Sequence, residues 1–155
     1  MDAHFAQYLA HDLLRVHNLP DWTFRFNRRR RSLGLCFYDD HRIELSLPFV
    51  TRNDEAAVRD TILHEIAHAL AGRRAGHGPA WKAICLRLGA KPQRCDEEAV
   101  MPAGRWRAIC PGCGKQFHRY RRPKRNTNYA CRRCGPQRGA IRFMLTFDSP
   151  TTGAA

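Results

Sequence analysis

The sequence predicts an α+β fold followed by a small β module, and three observations support this prediction. In the first hundred residues, segments with apolar residues at helical spacing are interspersed with short segments in which apolar and polar residues alternate, as in strands. In the last third, four of the seven cysteines form two C-x-x-C pairs. The net charge of +13 is uneven, since residues 1–101 carry +2 and residues 102–155 carry +11. We therefore expect domains at 1–101 and 102–148 and a disordered tail at 149–155.

The first domain begins with one predicted helix and three predicted strands. Apolar residues at helical spacing indicate a helix over residues 3–18. Alternation then predicts strands at Trp22–Phe26, Leu33–Tyr38 and Ile43–Leu47, which together would form a three-stranded sheet. Arg28–Arg31 lies between the first two strands and would form a basic turn, either a second contact for a polyanion or a solvated hairpin turn.

Two further helices complete the first domain. Thr51–Asp54 resembles a helix cap, so a helix is predicted from there to about Ala71, with Gly72 near its end. Pro79 is well placed to open the next helix, which Gly89 would end.

The longer of these helices contains the motif H-E-x-x-H, from His64 to His68. Residues at i and i+4 lie on the same helix face, so both imidazoles can reach one metal ion. Glu65 falls between this face and the apolar face, where it can approach a metal-bound water without being a ligand. A zinc ion lowers the pKa of such a water to about 7, and Glu65 would take its proton during attack on a peptide carbonyl. The plainer interpretation is two solvent-facing histidines on an amphipathic helix.

A catalytic zinc site needs a third protein ligand and one open position. His77 is the favoured candidate, because the glycines on both sides allow its loop to bring the ring back toward the helix. The rival is a carboxylate from Asp96, Glu97 or Glu98. The hypothesis is therefore a catalytic zinc held by His64, His68 and His77.

The two cysteine pairs, Cys110 with Cys113 and Cys131 with Cys134, are separated by seventeen residues. This spacing is typical of a zinc ribbon, in which four thiolates hold one structural zinc ion. Two disulfides or redox dithiols are the alternative. It is disfavoured because the N-terminal residues lack the features of a signal peptide that would direct the chain to an oxidising compartment.

Basic and aromatic residues interleave between the two cysteine pairs, and two more arginines lie inside the second pair. This composition is suited to phosphate neutralisation and base stacking. The alternative is that the aromatic residues pack the core of the ribbon while the charges are solvated. The candidate nucleic-acid contacts are Lys115, Phe117, Arg119, Tyr120, Arg121, Arg122, Lys124, Arg125, Arg132 and Arg133.

These motifs, in this order, resemble the SprT-like zinc metallopeptidase family, which includes the Spartan protease of DNA–protein crosslink repair. The resemblance rests on Ile62–Ala69, Gly76–Lys82, the strand region Trp22–Leu47 and the cysteine pairs, and it extends over about residues 5–147. It implies zinc ligation by the three histidines, an acid/base role for Glu65 and a C-terminal zinc ribbon. The predicted architecture is thus a minimal zincin domain followed by a β zinc ribbon.

The favoured function is a DNA-associated zinc metalloendopeptidase with one catalytic and one structural zinc. Its expected substrates are proteins bound or crosslinked to DNA, with single-stranded or junction DNA as the partner. A non-catalytic zinc protein that binds DNA or RNA is the alternative, and a membrane-surface peptidase is a weaker one. No apolar run approaches the length of a membrane span, so we expect a soluble monomer in the cytoplasm, near the nucleoid, or in the nucleus of a eukaryote.

Overall fold

The computed structural model describes residues 1–94, 96 and 98–146, and it divides into two compact units, Met1–Pro102 and Ala103–Ala155. The predicted tail 149–155, together with Cys95 and Glu97, lies outside the described residues. The first unit contains α1 (Ala3–Val16), β1 (Thr23–Asn27), β2 (Gly34–Phe37), β3 (Arg42–Ser46), α2 (Leu47–Val50), α3 (Glu55–Ala71), a 3-10 turn (Arg73–Ala75) and α4 (Pro79–Leu88). The second contains β4 (Trp106–Ile109), β5 (Gln116–Arg119), β6 (Tyr129–Cys131), α5 (Gly135–Arg138), β7 (Gly139–Ile141) and β8 (Met144–Leu145).

The three strands of the first unit form one sheet in the order β1-β3-β2. Strand β3 is central; it pairs in parallel with β1 and antiparallel with β2. The hairpin therefore joins β2 to β3, and residues 28–33 connect the two edge strands, which do not pair with each other. The interpretation of Arg28–Arg31 as a hairpin turn is wrong, because β1 takes its hydrogen bonds from β3.

A short helix, α2, directly follows the sheet and was not among the elements predicted from the sequence. The Ser46 hydroxyl accepts a hydrogen bond from the Phe49 backbone N–H at 3.3 Å and thereby caps this helix. Pro48 is tolerated because the first turn of a helix has no intrahelical partner for its missing N–H. Phe49 and Val50 are both fully buried.

Helix α3 begins and ends as predicted. The Asp54 carboxylate accepts a hydrogen bond from the Ala57 N–H at 2.9 Å, and Gly72 follows the last turn. The helix contacts α1, α4, β2 and β3, so it is buried on more than one face. On its apolar face Ile62 and Ile66 are fully buried, whereas Ala69 is only half-buried.

The second unit is a small β structure with its own core. Strand β4 lies between β5 and β8, while β6 pairs with β7. Its fully or nearly buried apolar residues are Ala108, Cys110, Cys131 and Ile141. The predicted α+β fold class with a C-terminal β module is confirmed. None of the helices in the described part of the chain has the length and apolar character needed to cross a membrane.

Candidate metal centres

Two groups of side chains with metal-ligating atoms stand out among the described residues, and the first lies on α3. His64 and His68 project from the same face of that helix, and His77 reaches them from the loop that precedes α4. The Nε2 atom of His77 lies 3.1 Å from that of His68 and 3.3 Å from that of His64. Gly76 makes this return possible, since its φ of 50° lies in the region that favours glycine.

The spacing of the three imidazoles fits a zinc ion. Nitrogen ligands about 2.0–2.1 Å from a tetrahedral zinc lie about 3.3 Å apart, close to the distances observed here. A neutral imidazole has a single N–H, so three Nε2 atoms that face one another cannot all be paired by hydrogen bonds among themselves. A cation at their centre would satisfy all three lone pairs.

The electrostatics of the site also favour metal binding. Burial lowers the pKa of both His64 and His68 to about 4 and also lowers that of His77, so the rings are neutral, as ligands must be. Trp81 is fully buried beneath the cluster, with its ring centroid 4.6–5.2 Å from those of the three imidazoles. Its indole N–H donates to the backbone carbonyl of His64 at 3.4 Å. Among the described residues, the buried Nδ1 of His68 has no hydrogen-bond partner.

Of the rival carboxylates, Asp96 and Glu98 are among the described residues, and neither belongs to this cluster. Asp96 lines the same cavity, but its carboxylate accepts a hydrogen bond from the Glu98 backbone N–H at 3.0 Å. Glu97 lies outside the described residues. Of the candidates for the third ligand, the structure therefore brings His77 to the other two histidines.

Glu65 lies beside the histidines in a cavity of about 520 Å³. It is 5% exposed, and burial raises the pKa of its carboxyl to about 8. A carboxyl in this environment takes up a proton far more readily than one in water. Its carboxyl is not among the grouped ligating atoms, which are those of the three histidines.

Strand β2 forms one wall of the cavity and supplies residues that the sequence analysis did not assign to the site. These are Gly34, Cys36 and Tyr38, the last of which directly follows the strand. Burial raises the pKa of the Cys36 thiol to about 12 and also raises that of the Tyr38 phenol, so both groups are protonated at neutral pH. A glycine inside a strand often marks a place where another group approaches the backbone closely, and this was the one feature of the sequence that pointed to Gly34.

The second group consists of the four cysteines of the C-x-x-C pairs. The Sγ atoms of Cys113 and Cys131 are 3.8 Å apart, which matches the separation of about 3.8 Å for thiolates bound at 2.3 Å to a tetrahedral zinc. The backbone N–H of Cys134 lowers the pKa of the Cys131 thiol, while hydrogen bonding to Cys113 raises the pKa of the Cys134 thiol, so Cys131 is the more readily ionised of these two thiols. No disulfide is present among the described cysteines.

Most of the predicted nucleic-acid contacts are on the surface of the second unit. The side chains of Phe117 and Tyr120 are half-buried, and Phe117 packs against the small core, as the alternative interpretation held. The guanidinium of Arg119 lies 4.7 Å from the ring centroid of Tyr129. All the basic residues among the predicted contacts are exposed, namely Lys115, Arg119, Arg121, Arg122, Lys124, Arg125, Arg132 and Arg133.

Comparisons with known proteins agree with these sites. The family model described as SprT-like matches residues 3–100, and the model of the SprT-like zinc ribbon domain matches residues 105–141. Protein SprT of Shigella boydii serotype 18 is 28% identical over 130 residues, which cover 77% of this chain and 79% of that protein. Protein SprT of Erwinia tasmaniensis is 27% identical over 128 residues, which cover 76% and 75%. The first family model spans more than half of the chain and includes the histidine cluster, so the chain belongs to the SprT-like family.

Proposed function

We propose that this protein is a zinc-dependent metalloendopeptidase that cleaves proteins bound or crosslinked to DNA. The observation that carries the proposal is the convergence of three imidazoles beside the buried carboxyl of Glu65: the Nε2 atom of His77 lies 3.1 Å from that of His68 and 3.3 Å from that of His64. His64, His68 and His77 would hold a catalytic zinc, and the four cysteines would hold a structural one. When bound at the histidines, zinc supplies Lewis-acid polarisation of the peptide carbonyl and an acidified water.

Glu65 performs the proton transfers in this proposal. Its carboxylate accepts a proton from the attacking water and then donates it to the nitrogen of the leaving amine. Burial, which raises the pKa of Glu65, helps the carboxyl to retain the proton between the two transfers, and the charge of a bound zinc would favour the carboxylate from which the first transfer starts. Because the pKa values of the three histidines are lowered, their rings would not take up this proton and their lone pairs would stay available for the metal.

Strand β2 provides a means of holding the substrate. It lines the cavity and pairs with β3 along one edge, while no strand of the described part of the chain pairs with its other edge. An extended peptide can add to such an edge through backbone hydrogen bonds, which require no particular side chain. This mode of binding suits an enzyme whose substrates are chosen by their location on DNA.

The basic second unit is the proposed DNA-binding module. Its exposed arginines and lysines can neutralise phosphates, and single-stranded or junction DNA would expose bases to its half-buried aromatic rings. Tethering to DNA raises the local concentration of the peptidase around DNA-bound proteins. The proposed location is accordingly the cytoplasm, at the nucleoid.

Substitution Glu65→Gln tests the peptidase proposal. We expect cleavage of a histone in the presence of DNA to fall by about 10²–10⁴-fold, because glutamine cannot accept the proton. Zinc content, measured by atomic emission, should stay at the wild-type level, since the histidine ligands are retained. Cleavage at the wild-type rate would contradict the mechanism, whereas DNA binding with no proteolysis by either protein would favour the non-catalytic alternative.

A further inference from the structure

Gly34, in strand β2, lies so close to the side chain of Glu65 that no residue with a Cβ atom would fit at this position without displacing it. A Cβ atom built on Gly34 would lie 2.5 Å from Oε1, 2.8 Å from Cγ and 2.9 Å from Cδ of Glu65. Non-bonded heavy atoms attract each other at about 3.5–4.0 Å, and all three distances are strongly repulsive. The space in which a side chain of residue 34 would lie is therefore filled by the carboxyl arm of Glu65.

Close approach, and not backbone conformation, is the reason for a glycine here. The φ of Gly34 lies outside the positive range, so an L-residue can adopt its backbone without strain. Strand β2 also has little freedom to retreat, because Gly34 pairs with Leu45 of the central strand and the carbonyl of the preceding Leu33 accepts a hydrogen bond from the Ser46 N–H at 2.8 Å.

Helix α3 is held as firmly as the strand. Ile62 and Ile66, which precede and follow Glu65, are fully buried in the core. With both backbones fixed, an added methyl group at residue 34 leaves one soft degree of freedom, the rotation of the Glu65 side chain. The main consequence would be a displaced carboxyl in a folded protein.

We propose that Gly34 is a positioning residue whose missing side chain fixes the carboxyl of Glu65 beside the histidine cluster. The inference rests on the proposed function, since it assigns Gly34 an effect on proton transfer through Glu65. Proton transfer requires a separation within hydrogen-bond reach, and a misplacement of about 1 Å can cost about 10²-fold in rate.

The test is Gly34→Ala in the full chain. We expect kcat for histone cleavage with DNA to fall by about 100-fold with little change in KM, because the proton-transfer geometry is lost while the peptide-binding edge is kept. Zinc content and the thermal midpoint should remain close to wild type. An unchanged kcat, with Glu65→Gln inactive, would overturn this inference alone; wild-type activity of Glu65→Gln would overturn the proposed function.

A double-substitution cycle distinguishes positioning from an independent effect. Glu65→Asp shortens the arm by one methylene and withdraws the carboxyl from residue 34. Gly34→Ala and Glu65→Asp displace the same group, so their combined loss should be smaller than the product of the single losses. Losses that multiply would contradict the inference. If Gly34→Ala unfolds the protein, adding Glu65→Ala should restore folding by removing the colliding atoms, and persistent unfolding would equally contradict it.

Discussion

Cys85 illustrates how burial alone sets the chemistry of individual side chains in this fold. Cys85 is a residue of α4 whose side chain is 0% exposed in the core, and desolvation raises the pKa of its thiol to about 11. The same cause raises the pKa of Glu65 and lowers that of His64, because burial disfavours whichever form is charged. In His64 the lowered pKa favours the neutral imidazole, the form that can bind a metal, whereas in Cys85 the raised pKa favours the unreactive protonated thiol.

The raised pKa of Cys85 predicts a loss of stability at alkaline pH. The unfolded thiol, with a pKa near 9, releases its proton more easily than the native one, so this contribution is present below about pH 9 and is lost as pH rises toward 11. Replacement by valine removes the ionisation. The fall in thermal midpoint between pH 8 and pH 10.5 should be smaller for Cys85→Val than for wild type, as measured by circular dichroism. Equal falls in the two proteins would show that Cys85 does not contribute.

The histidine cluster was predictable at the scale of residues, while the contact between Gly34 and Glu65 was not. Histidines four residues apart must share a helix face, and a histidine between two glycines has the backbone freedom to reach them. No such local rule connects Gly34 with Glu65, which is thirty-one positions away. Their contact depends on how β2 crosses α3, and this is decided by the packing of the whole unit.

At the scale of elements, α3 starts where local chemistry dictates. Asp54 caps its first turn by accepting the Ala57 N–H, and Glu55 follows at the positive end of the helix dipole. The start of this helix sets the positions of His64, Glu65 and His68 relative to the sheet. Capping is consequently part of how the site is built.

Removal of this cap should destabilise the first unit measurably. Asp54→Ala leaves the Ala57 N–H without its partner, at a cost of about 1 kcal/mol. For a unit of this size the thermal midpoint should fall by about 4–8 °C. Asp54→Ser is the control, since a serine hydroxyl can accept the same hydrogen bond. Identical midpoints for the alanine and serine variants would show that the cap contributes nothing.

The order of the strands was beyond prediction, although each strand was predicted. Alternation shows which residues of a strand share a face, but it does not specify the neighbouring strand. Proximity in sequence favours pairing of β1 with β2, yet β1 pairs in parallel with β3. Residues 28–33 therefore connect the two edge strands, and their arginines do not lie in a tight turn between two paired strands.

At the scale of the whole molecule, charge and chemistry are divided between the two units. Residues 1–101 carry a net charge of +2 and include the histidine cluster, while residues 102–155 carry +11 and include the four cysteines. Binding of a peptide requires no large positive electrostatic potential, whereas binding of a polyanion such as DNA is favoured by one. This separation predicts that nucleic-acid affinity depends on the second unit.

Salt titration tests this division of charge with matched variants. Arg121, Lys124 and Arg125 are exposed side chains of the second unit, and Arg28, Arg29 and Arg30 form an equally charged exposed set in the first. Each phosphate contact contributes about 0.7 to the slope of log affinity against log salt for single-stranded DNA. Replacing Arg121, Lys124 and Arg125 by glutamine should therefore reduce the slope by about 2, as measured by fluorescence anisotropy of a labelled oligonucleotide. Replacing Arg28, Arg29 and Arg30 should leave the slope unchanged if DNA contacts only the second unit. An equal reduction by both triple variants would mean that Arg28–Arg30 is a further DNA contact. An unchanged slope in the Arg121, Lys124 and Arg125 variant would mean that these three residues do not contact DNA.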